Sequence, residues 1–399
     1  MGEVHIFALD AVALAAGAVV LLASSYLAVL TLLSGRVRAP RTVGGGLSFA
    51  IVVPAHNEES VIARTIASLQ RIDWPADQFA VVVCADNCTD STAAIVRESG
   101  VTLLERTDTE RRGKGHALEY AFAWTLRNVG PDAIVVVDAD SEVSPNLLRA
   151  FAARFGAGER AVQCHYGVLN PGESWRTRLM TIALSCFHVV RSRARERLGV
   201  SAGFRGNGWG VDAGVLAAVP FRAYTLAEDV EYGIDLALLA GIRVAYVDEA
   251  HVLGEMTSSS SAAKTQRRRW EGGRLLLVRA RLASLVRAAI TGPNAVCLDL
   301  ALDLLLPPLS YVALGIGVVS VLGLLPLVDP SVSLAMRWIG FAAAVVLAVH
   351  VLQGWRLSGV GLRGALDLAR VPFFIAWKIM AIVADHAPRD WVRTERKRP

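Results

Sequence analysis

The chain has 399 residues, of which 53% are hydrophobic and 19% charged, a balance too apolar for an ordinary soluble domain and one that requires membrane segments. The net charge of +5 is carried by basic residues beside the apolar runs and in the tail Arg393 to Arg398, which suits an anionic membrane surface. The aromatic–basic interleaving of nucleic-acid modules is missing, so no nucleic-acid partner is expected.

Residues 1–35 read as an N-terminal transmembrane helix. The run Phe7 to Leu33 is nearly unbroken and long enough to cross a bilayer, and it lacks the basic start and short core of a signal peptide. Arg36, Arg38 and Arg41 follow it, so the positive-inside rule puts the amino terminus outside and the following residues in the cytosol. Residues 36–47, with Pro40 and Gly44 to Gly46, make a linker.

Residues 48–272 alternate strand and helix patterns, which predicts a doubly wound α/β domain. Strands are expected at Ser48–Val53, Phe79–Cys84, Val101–Leu104, Asp132–Val137 and Ile242–Val247. Polar clusters follow them, as a single site along the carboxyl edge of a parallel sheet requires. The fourth strand stops at Asp138 and Asp140, whose i, i+2 spacing lets two carboxylates converge on a hard divalent cation; the plainer reading is a polar strand end entering a turn. Arg111 to His116 form a glycine-flexed loop that lets Lys114 reach phosphates. Neither a GxGxxG fingerprint nor a Walker phosphate loop is present, which argues against a dinucleotide dehydrogenase and a P-loop NTPase. Gly206 to Gly210 either brings backbone close to an acceptor with Trp209 beside it or forms a tight structural turn. The acids Glu228 and Asp229 suit either catalysis or a helix start, and Glu231 fits the helix start better. The serine run Ser258 to Ser261 reads as a loop able to cover a site.

Residues 273–294, with Arg274, Arg279, Arg281 and Arg287 among leucines and valines, suit an interfacial amphipathic helix. Residues 295–354 are expected to hold two transmembrane helices, with Asp299 and Asp303 near the start of the first and Pro307-Pro308 interrupting it. Those two acids could mark a solute path or lie at headgroup depth. Residues 355–399 form an interfacial segment, Val371 to Val383, and a basic cytosolic tail. The five cysteines read as reduced and mostly buried, and Arg191, Arg193, Arg195 and Arg197 as a solvated basic surface near the membrane. The histidines are given no catalytic part.

Six motifs then carry a resemblance. In order they are Val53-Pro-Ala-His-Asn-Glu-Glu59, Asp86-Asn-Cys-Thr-Asp90, Arg112-Gly-Lys-Gly115, Asp138-Ala-Asp140, Glu228-Asp229 and Gln266-Arg-Arg-Arg-Trp270. With the flanking helices they resemble the membrane-anchored inverting glycosyltransferases of family 2, the broad group of cellulose, chitin and hyaluronan synthases and ceramide glucosyltransferase. The resemblance implies a GT-A fold, a Rossmann-like nucleotide-sugar domain inserted between transmembrane helices of a multi-pass cell-membrane protein. It implies Asp229 as general base with Glu228 orienting the site. Pro54, Asn57, Glu58, Asp86, Lys114 and Asp138 would bind the nucleotide, and Asp140 with Asp138 would hold Mg²⁺ or Mn²⁺. Gln266, Arg269 and Trp270, with Trp209, would take the acceptor and phosphate side. Ala85 stands where the family often has a first acid, so the nucleotide role falls to Asp86 alone. The implied partners are a nucleotide-sugar donor (a UDP-hexose or UDP-N-acetylhexosamine), a lipid, lipid-linked or polysaccharide acceptor, membrane lipids, and membrane partner subunits for a polymer synthase with so few spans. The competing reading is a nucleotide-sensing scaffold or transport component without transfer activity, with Asp299 and Asp303 as its best feature.

Overall fold

A computed structural model describes residues 2–40, 46–256, 260–292, 294–326 and 328–373, with only the backbone course for 2–8 and 260–271. Eight strands form one sheet: β1 (Phe49–Ala55), β2 (Phe79–Asp86), β3 (Thr102–Arg106), β4 (Ala133–Val136), β5 (Ser141–Val143), β6 (Ala161–Val168), β7 (Trp209–Asp212) and β8 (Ala245–Gly254). Their order is β3-β2-β1-β4-β7-β6-β8-β5. The first four are mutually parallel, as their continuous apolar runs predict for strands covered on both faces. Alternation along β1 divides two cores: Ile51 and Val53 face Val135 and Phe151, whereas Ala50 and Val52 face Val136, Trp209 and Tyr232.

The second half departs from the simple alternation. β7 runs antiparallel to both β4 and β6, while β6 and β8 are parallel. β7 therefore begins where β4 ends, with Trp209 opposite Val136, and the loop before it reaches the carboxyl edge of the sheet. The last expected strand starts later and runs further, Ala245–Gly254, because Asp248 in mid-strand turns to Arg193 at 2.8 Å instead of ending it.

The first helix, Gly2–Leu32, contains one span-length apolar segment, Leu9–Leu32, and Pro330–Ser358 contains another. They pack through Ala13, Val20, Leu27, Met336 and Ala343. A Cβ on Gly17 would stand 2.7 Å from Met336 Cε, so glycine permits the close helix approach. The expected single span after residue 295 is instead two helices, Ala295–Leu305 and Leu309–Leu322, bent by 71°. Pro307 and Pro308 lack the N–H groups needed to continue the ladder. The boundary drawn at 272/273 falls inside one continuous helix, Ser260–Thr291. That helix takes in Ser260 and Ser261 of the expected loop; Ser258 and Ser259 lie outside the described residues, as do most of the expected Val371–Val383 segment and the basic tail.

The basic run in the helix Arg191–Arg197 is not a solvated surface. Arg191 and Arg195 are 2% and 0% exposed and Arg193 is half-buried, leaving Arg197 in solvent. Residues four apart share a helix face, so Arg191 and Arg195 point together toward Asp303 and Asp299. All five cysteines are free, four of them buried and Cys88 half-buried.

Candidate active site

The carboxyl ends of β1, β2 and β4 meet the loop that precedes β7, and the polar residues of that edge form one connected group. The Asp138 N–H donates to Asn207 Oδ1 at 3.0 Å, which ties the end of β4 to that loop. Lys114 opens the helix Lys114–Asn128 after Gly113, whose φ of 117° is open to glycine. A Cβ on Gly115 would overlap the Ala223 carbonyl, so a second glycine lets this helix start press against the chain that leads to Glu228. Lys114 Nζ lies 2.7 Å from Asp138 Oδ1 and 3.3 Å from Glu228 Oε1, and donates to the Gly206 carbonyl at 2.9 Å. Burial disfavours its ammonium, but the charges of Asp138 and Glu228 outweigh that and hold its pKa above the ordinary lysine range.

Asp229 follows Glu228 in the first turn of the helix Glu228–Ala240, and both are 7% exposed. Burial, then the neighbouring Glu228 charge, pushes the Asp229 pKa up to about 6 from 3.8, against the pull of Lys114 and of backbone hydrogen bonds from Val230 and Gly206. A buried carboxylate that titrates just below neutrality suits proton abstraction from a weak acid. Glu231, in the same turn, pairs with Arg281 at 3.2 Å, an anchor to the helix Ser260–Thr291.

The expected nucleotide loops lace together. Asn57, at φ 56°, accepts from the Thr89 N–H at 2.7 Å through Oδ1, and the Glu58 N–H donates to Thr92 Oγ1 at 2.7 Å. Pro54 is half-buried within β1, in register with Cys84. Asp86 Oδ1 receives Arg106 Nη1 at 2.5 Å and Asn87 Nδ2 at 3.0 Å. Sequence reasoning missed Arg106. Its signal is positional: Arg106 closes β3 directly opposite Asp86, which closes β2.

Trp209 is corrected outright. It is fully buried against Phe204, Phe122, Phe221 and Tyr232, with no exposed face to offer an acceptor. A Cβ on Gly208 would stand 2.5 Å from Cys164 Sγ, so Gly208 serves a tight structural turn, while Gly206 presents its backbone to Lys114. The side chains of Gln266, Arg269 and Trp270 lie outside the described residues. Their helix reaches the site nonetheless: a Cβ on Gly273 would be 3.2 Å from Leu226 Cβ and 3.3 Å from the Ala227 nitrogen, immediately before Glu228.

Asp138 and Asp140 are half-buried at one strand end, a hard-oxygen pair. Among the described residues no three His, Cys, Asp or Glu side chains gather as a closed cage. The pair therefore fits a divalent ion that takes its remaining ligands from phosphate and water, as Mg²⁺ commonly does.

The profile of the family described as "Glycosyltransferase like family 2" matches residues 46–273, which include every residue of this site. The curated relatives include glucomannan 4-beta-mannosyltransferase 7 of Arabidopsis thaliana, 24% identical over 61% of this chain and 46% of that protein. Another is the probable glycosyltransferase YdaM of Bacillus subtilis, 26% identical over 57% of this chain and 56% of its own length. The chain thus spans about half the length of the curated relatives it matches. Among solved structures, the mannosyltransferase PcManGT of Pyrobaculum calidifontis, determined with GDP-Man and Mn²⁺, superposes with a TM-score of 0.54. It is 20% identical, with 86% of this chain and 98% of that one covered, and the likeness is one of fold. The profile match covers more than half of the chain and runs from the start of the sheet to the helix beyond Asp229, so the chain belongs to glycosyltransferase family 2, with a GT-A fold.

Proposed function

We propose that the protein is an inverting glycosyltransferase that moves a sugar from a nucleoside diphosphate sugar to an acceptor hydroxyl at the membrane surface. The observation that carries the reading is the buried Asp229, its pKa near 6, beside the Lys114–Asp138 pair. Asp229 is largely ionised at neutral pH and takes the acceptor proton as the oxygen attacks the anomeric carbon. The bond from that carbon to the pyrophosphate oxygen breaks, and its electron pair leaves with the nucleoside diphosphate. Lys114 swings between Asp138 and the phosphates, so its charge meets the negative charge that grows on the leaving group. Asp140 and Asp138 would hold Mg²⁺ or Mn²⁺, which supplies Lewis-acid neutralisation of the diphosphate. Asp86, fixed by Arg106 and Asn87, would bind the nucleotide.

The acceptor side falls to Gln266, Arg269 and Trp270 on the helix that passes Ala227. Two helices long and apolar enough to span a membrane flank the domain, and the arginines after the first support a cytosolic catalytic edge. GDP-mannose, the donor in the PcManGT complex, joins the UDP-sugars as a candidate to be tested. The transport reading loses its best feature, since Asp299 and Asp303 are both paired with buried arginines.

The test is donor cleavage and transfer by the purified protein in lipid nanodiscs, with UDP- and GDP-sugars and with Mn²⁺, Mg²⁺ or EDTA. Metal-dependent turnover of one donor, lost in Asp229→Asn, is expected. Nucleotide binding without turnover on any donor in the presence of membrane extract would defeat the proposal.

A further inference from the structure

Where the α/β domain meets the membrane helices, a second group of charges is buried that the transfer reaction does not use. Arg191, Arg195 and Arg205 are 2%, 0% and 6% exposed, and they face Asp299 and Asp303 of the helix Ala295–Leu305. Arg195 Nε is 2.6 Å from Asp299 Oδ2 and its Nη1 3.0 Å from Asp303 Oδ2. Arg205 Nη1 reaches the same Asp303 oxygen at 3.2 Å, and Arg191 Nη1 stands 3.8 Å from Asp303 Oδ1. Tyr26 of the first span donates to Asp299 Oδ1 at 2.8 Å. Arg274 closes the group, donating to the carbonyls of Asp303, Leu304 and Leu306 at the end of that helix.

The charges do not balance. Among the described residues four guanidiniums, three of them buried and Arg274 half-buried, meet two carboxylates, an excess of two positive charges. The donors do not balance either: Arg191 Nε, Arg195 Nη2, and Nε and Nη2 of Arg205 are buried without a hydrogen-bond acceptor among the described residues. Unpaired buried charge costs several kcal/mol per ion, so the arrangement is that of a site whose anion is part of its chemistry. Guanidinium forks match phosphate oxygens two at a time. A phosphomonoester brings about −1.5 to −2 charges at pH 7, which offsets the two uncompensated ones, whereas a diester brings only about −1.

We propose that this cluster binds the phosphate of a membrane-borne phosphomonoester. The chain breaks at Leu306 to Pro308, beside the half-buried Arg274 and the exposed Leu305, and this break is the side from which a bilayer lipid would approach. On its inner side Arg205 adjoins Gly206, whose carbonyl receives Lys114, so a phosphate held here lies next to the catalytic edge. The inference rests on the membrane placement proposed above and not on the transfer chemistry.

The test is thermal unfolding of the delipidated full chain in a non-ionic detergent. Four probes are titrated: short-chain phosphatidic acid, phosphatidylglycerol of the same chains, the corresponding diacylglycerol, and inorganic phosphate. Phosphatidic acid is expected to raise Tm saturably, at least tenfold more tightly than phosphatidylglycerol, and diacylglycerol to do nothing. Arg205→Gln should weaken the response at least tenfold, Arg205→Lys less, and Asp229→Asn not at all; Arg191→Gln replaces Arg205→Gln if the latter does not fold. An equal response to inorganic phosphate would assign the site to a soluble phosphate, and a preference for phosphatidylglycerol to ordinary headgroups; either overturns the monoester assignment. No saturable shift with any phosphate, or a shift unchanged in folded Arg205→Gln and Arg191→Gln, overturns the site itself. Donor cleavage on the same preparation separates the two claims: protein that cleaves donor but ignores phosphate loses only this one.

Discussion

Replacing Asp229 by asparagine should abolish turnover while making the protein more stable, and the size of the gain should depend on pH in a defined way. Asp229 titrates near 6 in the folded protein and near 3.8 when solvated. The folded state thus binds this proton more tightly than the unfolded state. Above pH 6 both states are ionised and the fold carries the cost of a buried charge; below about 4 both are protonated and the cost is gone. A difference of about two pKa units, at 1.36 kcal/mol each, makes that cost about 3 kcal/mol. The asparagine variant cannot ionise, so its advantage over the parent should be largest at pH 7.5 and fade as pH falls from 6 to 4. Thermal melts of both proteins in nanodiscs, without donor or metal, at intervals from pH 4.5 to 8, read this directly. In parallel the parent's single-turnover rate should fall on the acid side with a midpoint near pH 6, and the variant should lose roughly 10²–10⁴-fold at its plateau. A stability difference that does not change with pH, or a parent rate that is flat to pH 4.5, would refute the assignment of Asp229 as a buried base.

Arg106→Gln strands Asp86 as an unpaired buried carboxylate; a loss of about 3–5 kcal/mol is expected, with weaker nucleoside diphosphate binding by calorimetry, and unchanged binding would remove Asp86 from the nucleotide site. Asp140→Asn should raise the Mn²⁺ concentration needed for half-maximal turnover at least tenfold, and EDTA should stop the parent reversibly; an EDTA-insensitive parent would contradict a metal at this strand end. Trp209→Ala should cost about 3–5 kcal/mol of stability, while the milder Trp209→Phe leaves the acceptor KM unchanged; a large KM effect in that variant would return Trp209 to the acceptor side.

The half of the sheet that carries the nucleotide loops was legible because its chemistry is local. β1, β2 and β4 are short β-branched runs that end in polar residues, and a strand buried on both faces leaves that trace whatever surrounds it. β6 left none: Ala161–Val168 mixes Gln163, Cys164, His165 and Tyr166, and Gln163 is tolerated in the core because it donates to the carbonyls of Asn207 and Gly208 across the sheet. Glu228 and Lys114 were found as motif members, but their contact joins helices that begin 114 residues apart in numbering only by the fold's closure. The arginine cluster was misread for a related reason. Arg195 and Asp299 are 104 positions apart, and alternating arginines look like solvated surface until the carboxylates that bury them are known. Trp209 was read by the company it keeps, glycines, when its own place is in the core, and Gly208 and Gly210 press against Cys164, Val252 and Phe151.

The end of the first span and the strand of chain behind it are fastened at separate points. Tyr26 holds Asp299, the Val37 N–H donates to Asp248 Oδ2 at 3.1 Å, and Gly35 sits against Arg197 with no room for a Cβ. With about 1.5 Å of rise per residue, the six residues from Tyr26 to Leu32 amount to roughly 9 Å of helix, so the catalytic edge is tethered by a short rod with no slack. With the first helix in a bilayer, as proposed, the height of Asp229 above the lipid would be a ruler cast into the chain. A lipid-anchored acceptor would then be sorted first by how far its hydroxyl stands off the membrane, before any side chain reads what it is.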